Sequence, residues 1–463
     1  MNLRWQHHPL RELTRLAWPI AISSVSYSVM TLVDTVLIGH VGRSELAGVG
    51  LGGITAFMLL CFSFGLLQGA KVLVSQAIGA GRRDQAEAYR GAAVTTAVAI
   101  GVVSLGLGQL VAPFIVRLAS SEAAGHAART YLSTRMFGAP MAMLYVALRE
   151  VRYAEGDARS PMVATVMAQV TNIGLAVLFI FVLHKGVFGA ACATVVAHTV
   201  EATVLCLGQR ERGFGFRTMR REHFDGLLRV GMPTGLQFAL EVGAFGTLSL
   251  LISLFSEVEM ASHQIAIQVI HFSFLPAMAV AEAGSVLAGQ AVGAAEYALV
   301  LRVARLAMII TGSYAVAWTI ALAFGSRLIV HGFTNDPAVV ATSVGLLHIA
   351  AVFQLFDAGQ IVARCALRGS GDVRYAAVVG VVTSWLCTPT FAWLLGRHYG
   401  MGAVGGWLGL CLEIIVGTAI LWWRLERGGW LPAARASRAR LEAARSAEES
   451  IPEGVETGPI SAA

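Results

Sequence analysis

Long apolar runs restrict what this chain can become more than any other feature. A helix needs about 20 mostly apolar residues to cross a bilayer. Twelve such runs follow one another at 14–39, 46–70, 91–117, 131–153, 161–183, 187–208, 228–255, 260–288, 301–325, 343–366, 375–396 and 402–424. None alternates every second residue, as the strands of a membrane barrel would. The expected fold is an all-α membrane protein with twelve transmembrane helices. Composition excludes the rival classes: 56% of the 463 residues are hydrophobic and 13% charged, against about 25% charged in soluble domains. The formal charge of +6 is spread between apolar runs instead of forming a patch, so no nucleic-acid partner is expected. The six cysteines lie inside apolar runs without a CxxC pair and read as small hydrophobes. The run after the charged segment 1–13 is too long for a signal-peptide core.

Arginine sets the expected orientation. Arg4 and Arg11 precede the first run, Arg82, Arg83 and Arg90 follow the second, and Arg149, Arg152 and Arg159 close the fourth. Arg210, Arg212, Arg217, Arg220, Arg221 and Arg229 follow the sixth, Arg302 and Arg305 the eighth, and Arg364, Arg368 and Arg374 the tenth. The alternate connections are poorer in basic residues. Cytoplasmic loops carry the basic excess, so both termini are expected inside a multi-pass protein of the inner (plasma) membrane. The tail 425–463 reads as a short helix followed by disorder.

The two halves share a frame. Pro19 matches Pro233, and Glu45 and Ala47 match Glu259 and Ala261, all 214 residues apart. Gln76, Gly79 and Ala80 match Gln290, Gly293 and Ala294 at the same offset, and Gly156, Asp157 and Arg159 match Gly371, Asp372 and Arg374 at 215. Six runs per copy give two pseudo-symmetric six-helix lobes, 14–212 and 213–424, that enter the membrane the same way up. A cleft between such lobes, opened to either side by rocking, is a transporter architecture.

Ionised carboxylates inside a membrane cost about 2.5–3.5 kcal/mol on insertion scales and usually face a cavity or a partner. Ser24, Tyr27, Thr31 and Asp34 form one polar stripe on the first run. Glu241 shares a face with Thr234 and Gln237, and Asp357 is flanked by Gln354 and Gln360. Thr165, Gln169 and Asn172 make a neutral stripe on the fifth run. A local pair of Asp357 with Arg364, two turns on, is the structural alternative. Glu282, one turn from Ser285, is a further candidate facing the cleft. Glu201 and Glu413 occupy equivalent runs and read as structural acids paired with loop arginines, while Glu150, near a run end, reads as snorkelling. Hard cations such as Na+ want several oxygens, and a proton needs one buried carboxylate. Tyr27, Met30, Phe57, Met58, Met141, Tyr145, Phe272 and Phe356 are candidate cargo contacts, through ring faces and adaptable thioethers.

The segments Leu32-Val-Asp34-Thr-Val-Leu-Ile-Gly39, Met232-Pro-Thr-Gly-Leu-Gln-Phe-Ala-Leu-Glu241, Ala261-Ser-His-Gln-Ile-Ala266 and Leu367-Arg-Gly-Ser-Gly-Asp372 resemble the MATE (multidrug and toxic compound extrusion) family. The resemblance runs from about residue 10 to 425, and acidic residues in both the seventh and tenth runs look like the NorM branch. It implies a monomeric antiporter in membrane lipid that exports organic cations and amphipathic drugs in exchange for Na+ or H+, without a cofactor. It places Asp34, Asn172 and Thr194 in a first-lobe cation site, and Glu241 and Asp357 as a second-lobe acidic pair. Asp34, Glu241 and Asp357 are thus the implied Na+-holding carboxylates, with Glu282, Tyr27, Thr31, Gln237 and Phe356 as further cation or cargo contacts. One turn after Asn172, where the family often carries Asp or Asn, this chain has Ala176, one oxygen ligand fewer.

Gly48-Val-Gly50-Leu-Gly-Gly53 fits a dinucleotide-binding spacing but lies inside the second run with no preceding strand, so helix packing explains it. No P-loop, HExxH or GxSxG is present, and no enzyme is expected. The rival transporter is a lipid-linked oligosaccharide or polysaccharide flippase. It would place arginines inside the lobes to hold pyrophosphate; the arginines here read as lying at the cytoplasmic ends.

Overall fold

The computed structural model describes residues 3, 5–119 and 121–449. Among them every extended element is helical. In chain order the α-helices are α1 (Pro9–Gly39), α2 (Arg43–Gly79), α3 (Arg83–Val111), α4 (Glu122–Met136), α5 (Ala139–Ala154), α6 (Arg159–Val177), α7 (Gly186–Arg210), α8 (Arg221–Ser253), α9 (Glu257–Gly293), α10 (Tyr297–His331), α11 (Pro337–Gly369), α12 (Val373–Phe391), α13 (Gly402–Glu426) and α14 (Leu431–Glu449). Eleven segments among the described residues are single helices long and apolar enough to span a membrane.

The fourth expected span departs from its prediction as one continuous helix over 131–153. It is broken at Phe137–Gly138 into α4 and α5. Pro140 sits in the first turn of α5, where its missing N–H would leave a hole in an uninterrupted helix. Other spans exceed their apolar runs. α2 and α9 each have 37 residues, roughly 55 Å at 1.5 Å per residue, and overshoot a hydrocarbon core of about 30 Å.

The internal repeat is structural. α2 and α9 begin and end 214 residues apart (257 − 43 and 293 − 79), as do α6 and α12. α6 and α12 both run on into a π-helical turn, Leu178–Val182 and Ala392–His398. The break in span 4 has no counterpart in α11. Within the first half α2 packs on α3, α4 and α5, and α6 on α7; within the second, α9 and α11 pack on α10, and α12 on α8 and α13. The halves meet where α2 lies against α8 and α9, and α1 against α9. Glycine makes the approach of α2 and α8 possible: a Cβ on Gly65 would lie 2.6 Å from the Gly235 Cα, and one on Gly69 2.9 Å from the Gly231 Cα. Gly48 and Gly52, the dinucleotide look-alike, likewise face α4 backbone, with Cβ positions 2.7 Å from the Ala124 and 3.0 Å from the Ala128 carbonyl oxygens.

The overshooting ends of α2 and α9 close one end of the molecule, and they do so reciprocally. The Gln76 amide donates to the Gly369 carbonyl (3.0 Å), and its repeat mate Gln290 donates to the Ala154 carbonyl (3.0 Å). A Cβ on Gly79 would fall 2.0 Å from the Gln290 carbonyl oxygen, and one on Gly293 2.0 Å from that of Gln76. Trp5 donates to Gln290 (2.8 Å). Here α14 lies across both halves: Arg438 donates to the Gly293 carbonyl and the Leu441 carbonyl accepts from Arg82, with Ala434, Ser437 and Leu441 buried. The expected short helix in the tail is therefore present, and it is docked; the expected disorder falls on 450–463, outside the described residues. Arginine gathers at this basic end, where Arg90 and Arg212 clasp Glu155. Large apolar side chains such as Phe324 and Leu328 stay exposed on the flanks, as a lipid-facing surface requires.

Candidate functional site

In the first half, the polar stripe of α1 carries Asp34 to the level of α6 and α7. Asn172 on α6 and Thr194 on α7 are fully buried there. With the Asn172 amide turned to satisfy both neighbours, its nitrogen donates to Asp34 Oδ1 (3.0 Å) and its oxygen accepts from the Thr194 backbone N–H (3.3 Å). The Thr194 hydroxyl donates to the Ala190 carbonyl (3.1 Å). Three residues far apart in sequence thus make one oxygen-rich spot around a carboxylate. Arg135 on α4 interacts electrostatically with Asp34 and with Tyr27, and it donates to the Tyr131 hydroxyl (2.8 Å). Its signal in the sequence was an arginine inside the fourth apolar run. Tyr27 is 40% exposed, and Thr31, also exposed, donates to the Tyr27 carbonyl. Of the neutral stripe on α6, Thr165 is tied to Tyr145 (2.6 Å) and only Asn172 reaches Asp34. Ala176 is buried without a polar group to offer.

In the second half, α8 and α11 bring Glu241, Gln237, Gln360, Asp357, Arg364 and Arg368 together. Arg364 Nη1 donates to Glu241 Oε2 (2.9 Å), and Gln237 donates to Glu241 Oε1 (2.8 Å). Arg364 also donates to Gln360 (3.2 Å), and Arg368 to Gln237 (2.9 Å) and to Gln68 across on α2 (3.1 Å). The local Asp357–Arg364 pair is therefore not formed; the guanidinium crosses to the other helix because Glu241 presents its carboxylate at hydrogen-bond range. Asp357 is buried without a hydrogen-bond partner among the described residues. Phe356 beside it is 37% exposed. Arg364 and Arg368 overturn the reading that the arginines stay at the ends.

Between the halves lies a charge cluster whose centre sequence reasoning missed. Lys71 on α2 is buried and ion-paired with Glu282 on α9 and with Glu150 on α5 (3.0 Å). Arg149 adds to Glu150 (2.8 Å). Glu150 is thus fully enclosed instead of snorkelling, and Glu282 has a cation of its own. A small cavity lined by Gln68, Lys71, Thr234, Glu282, Cys365 and Arg368 joins this cluster to the second-half network. The available signal was a lysine at the very end of the second apolar run, followed by Val72, Leu73 and Val74. Glu201 and Glu413 pair with His198 (3.1 Å) and with Thr388, not with loop arginines: both lie too deep for the loops to reach. Among the expected cargo contacts, Met30 and Tyr145 are buried in packing, whereas Tyr27, Phe57, Met58, Met141 and Phe356 are exposed. Phe57 stacks edge-on against Phe238 (6.1 Å). No group of three or more His, Cys, Asp or Glu arranged to hold a metal occurs among the described residues; Asp34 is served by the first half, Glu241 and Asp357 by the second.

A family model described as MatE matches residues 19–178 and 233–394. The chain is 29% identical over 431 residues to a probable multidrug resistance protein NorM of Pseudomonas syringae, covering 89% of this chain and 94% of that protein. It is 31% identical to a protein of the same name from Rhodopseudomonas palustris, covering 90% and 92%. A eukaryotic MATE transporter of known structure superposes with a TM-score of 0.85 at 19% identity, over 94% of this chain and 99% of that one. An outward-facing multidrug resistance MATE transporter superposes at 0.82 with 20% identity, over 95% and 97%.

Proposed function

The chain belongs to the MatE family of multidrug-efflux transporters, and on that premise we propose that it is a secondary antiporter. It exports organic cations and amphipathic drugs in exchange for Na+ or H+. The observation that carries this reading is the Asp34–Asn172–Thr194 constellation, a carboxylate held inside an apolar lobe by groups that stabilise its charge. Glu241 and Asp357 are the corresponding acids of the second half.

The cycle follows from the cleft and the carboxylates. In the half-cycle with the halves joined at the basic end and parted at the far side, the coupling ion enters, neutralises the carboxylates and cationic cargo leaves. With the basic end parted, the ion escapes and the negative site receives the next cargo. The basic end is the cytoplasmic side by arginine distribution, which puts both termini in the cytoplasm of a bacterial cell. The lobes correspond to 14–212 and 213–424, with 1–13 and 425–463 as cytoplasmic tails, and the unit of function is the monomer. Flippase chemistry is disfavoured although Arg364, Arg368 and Lys71 lie inside: carboxylates and glutamines already engage these three cations, whereas pyrophosphate would need them free.

The test is efflux of a fluorescent organic monocation from proteoliposomes, with Na+ and pH gradients imposed separately. One gradient drives the wild type, and Asp34→Asn abolishes that coupling while the protein still inserts. Stimulation by neither gradient, or wild-type coupling in Asp34→Asn, refutes the reading.

A further inference from the structure

Arg364 places a fixed positive charge directly on an acid that the antiport reading assigns to cations. We propose that Arg364 is a tethered counter-cation which cationic cargo displaces from Glu241, so that it sets the charge selectivity of the second-half acidic site. This rests on the antiport reading for its role in transport.

The pair is built to be exchanged. Its side chains are 15% and 19% exposed, so a small solute reaches the pair without dismantling the fold. The guanidinium is incompletely satisfied: among the described residues Arg364 Nε has no hydrogen-bond partner, nor has Nε2 of Gln360 beside it. Two glycines clear the space these groups occupy. A Cβ on Gly380 would lie 2.3 Å from Glu241 Oε1 and 2.4 Å from Gln237 Nε2, and one on Gly417 2.3 Å from Gln360 Nε2.

The displaced guanidinium has a destination. Asp357 lies two turns N-terminal of Arg364 on α11 and has no hydrogen-bond partner among the described residues. Long side chains on a helix lean toward its N-terminus, which aims Arg364 past Gln360 at Asp357. Arg364 already interacts electrostatically with Asp357 and Glu413. A monocation arriving at Glu241 sends Arg364 to Asp357, and its departure lets Arg364 return, so Glu241 is never stranded without a counter-charge. A neutral amphiphile has nothing to displace.

Equilibrium binding to the purified full-length protein tests this, with ethidium as the monocation and Nile red as the neutral probe. Removing the competitor in Arg364→Ala tightens ethidium binding at least tenfold and leaves Nile red within twofold. Arg364→Lys, which keeps a tethered cation, returns ethidium to within about threefold of wild type. Glu241→Gln weakens ethidium at least tenfold and stands as a second variant should Arg364→Ala fail to fold. Unchanged ethidium affinity in Arg364→Ala, equal tightening of both probes, or no rescue by lysine overturns the proposal. Gradient-driven efflux by the wild type tests the antiport reading on its own, because the binding comparison needs no gradient.

Discussion

Replacing Lys71 by methionine should unlock the basic end. Among the described residues, Lys71 is the sole cation bonded to Glu282 and one of two bonded to Glu150, which keeps Arg149 at 2.8 Å. The burden of losing the ammonium therefore falls on Glu282, which is buried. Breaking a buried pair by removing one partner costs about 3–5 kcal/mol. Glu282 belongs to α9 and Lys71 to α2, so parting the halves at this end gives the stranded carboxylate water. About 3 kcal/mol against the closed arrangement is roughly a hundredfold shift in the open fraction. Cys365 reports on it, being buried and lining the cavity beside Lys71 and Glu282. N-ethylmaleimide labelling, resolved by peptide mass spectrometry, should be one to two orders of magnitude faster at Cys365 in Lys71→Met than in wild type. Adding Glu282→Gln removes the stranded charge and should restore most of the protection. Wild-type labelling of Cys365 in a folded Lys71→Met protein, or no recovery in the double variant, would refute the reasoning.

Gly79→Ala and Gly293→Ala should weaken the same closure by similar amounts, about 1–3 kcal/mol each for overpacking, because their Cβ atoms meet mirror-related carbonyls at 2.0 Å; unequal effects on Cys365 labelling would contradict the pseudo-symmetry. Asn172→Leu should cut gradient-driven efflux about tenfold, since the Asp34 carboxylate loses a hydrogen bond of the charged kind, about 1.5–3 kcal/mol; full efflux would show that the amide is dispensable. Truncation after Arg427 removes α14 and the Arg438 contact to Gly293 while leaving every spanning helix intact; the protein should still insert, and Cys365 labelling should rise less than in Lys71→Met. Labelling equal to that of Lys71→Met would make α14, and not the ion cluster, the principal clasp.

The number of spans and their repeat were legible because apolar length and a 214-residue offset are local or translational properties of the chain. So was the proximity of Asp34 to Asn172 and Thr194, residues that the MATE resemblance grouped by position. The break in span 4 was written in Gly138 and Pro140, but hydropathy averages over such a two-residue interruption.

Charge pairing was a different matter. Apolar runs show that Glu150, Glu282, Glu241 and Arg364 fall in spanning segments and that Lys71 ends one, and nothing in their spacing says which helices will stand side by side. Short-range periodicity favours Arg364 with Asp357 on the same face; packing of α8 against the second-half bundle offers Glu241 instead, at 2.9 Å. Desolvation makes each buried charge seek whichever opposite charge the assembled helices bring within reach, and only the tertiary arrangement determines that neighbour. The amino-acid order thus dictated a duplicated helical transporter with acids in its interior, while the folded contacts decided which acids are held by cations, which stands open, and which end of the cleft is shut.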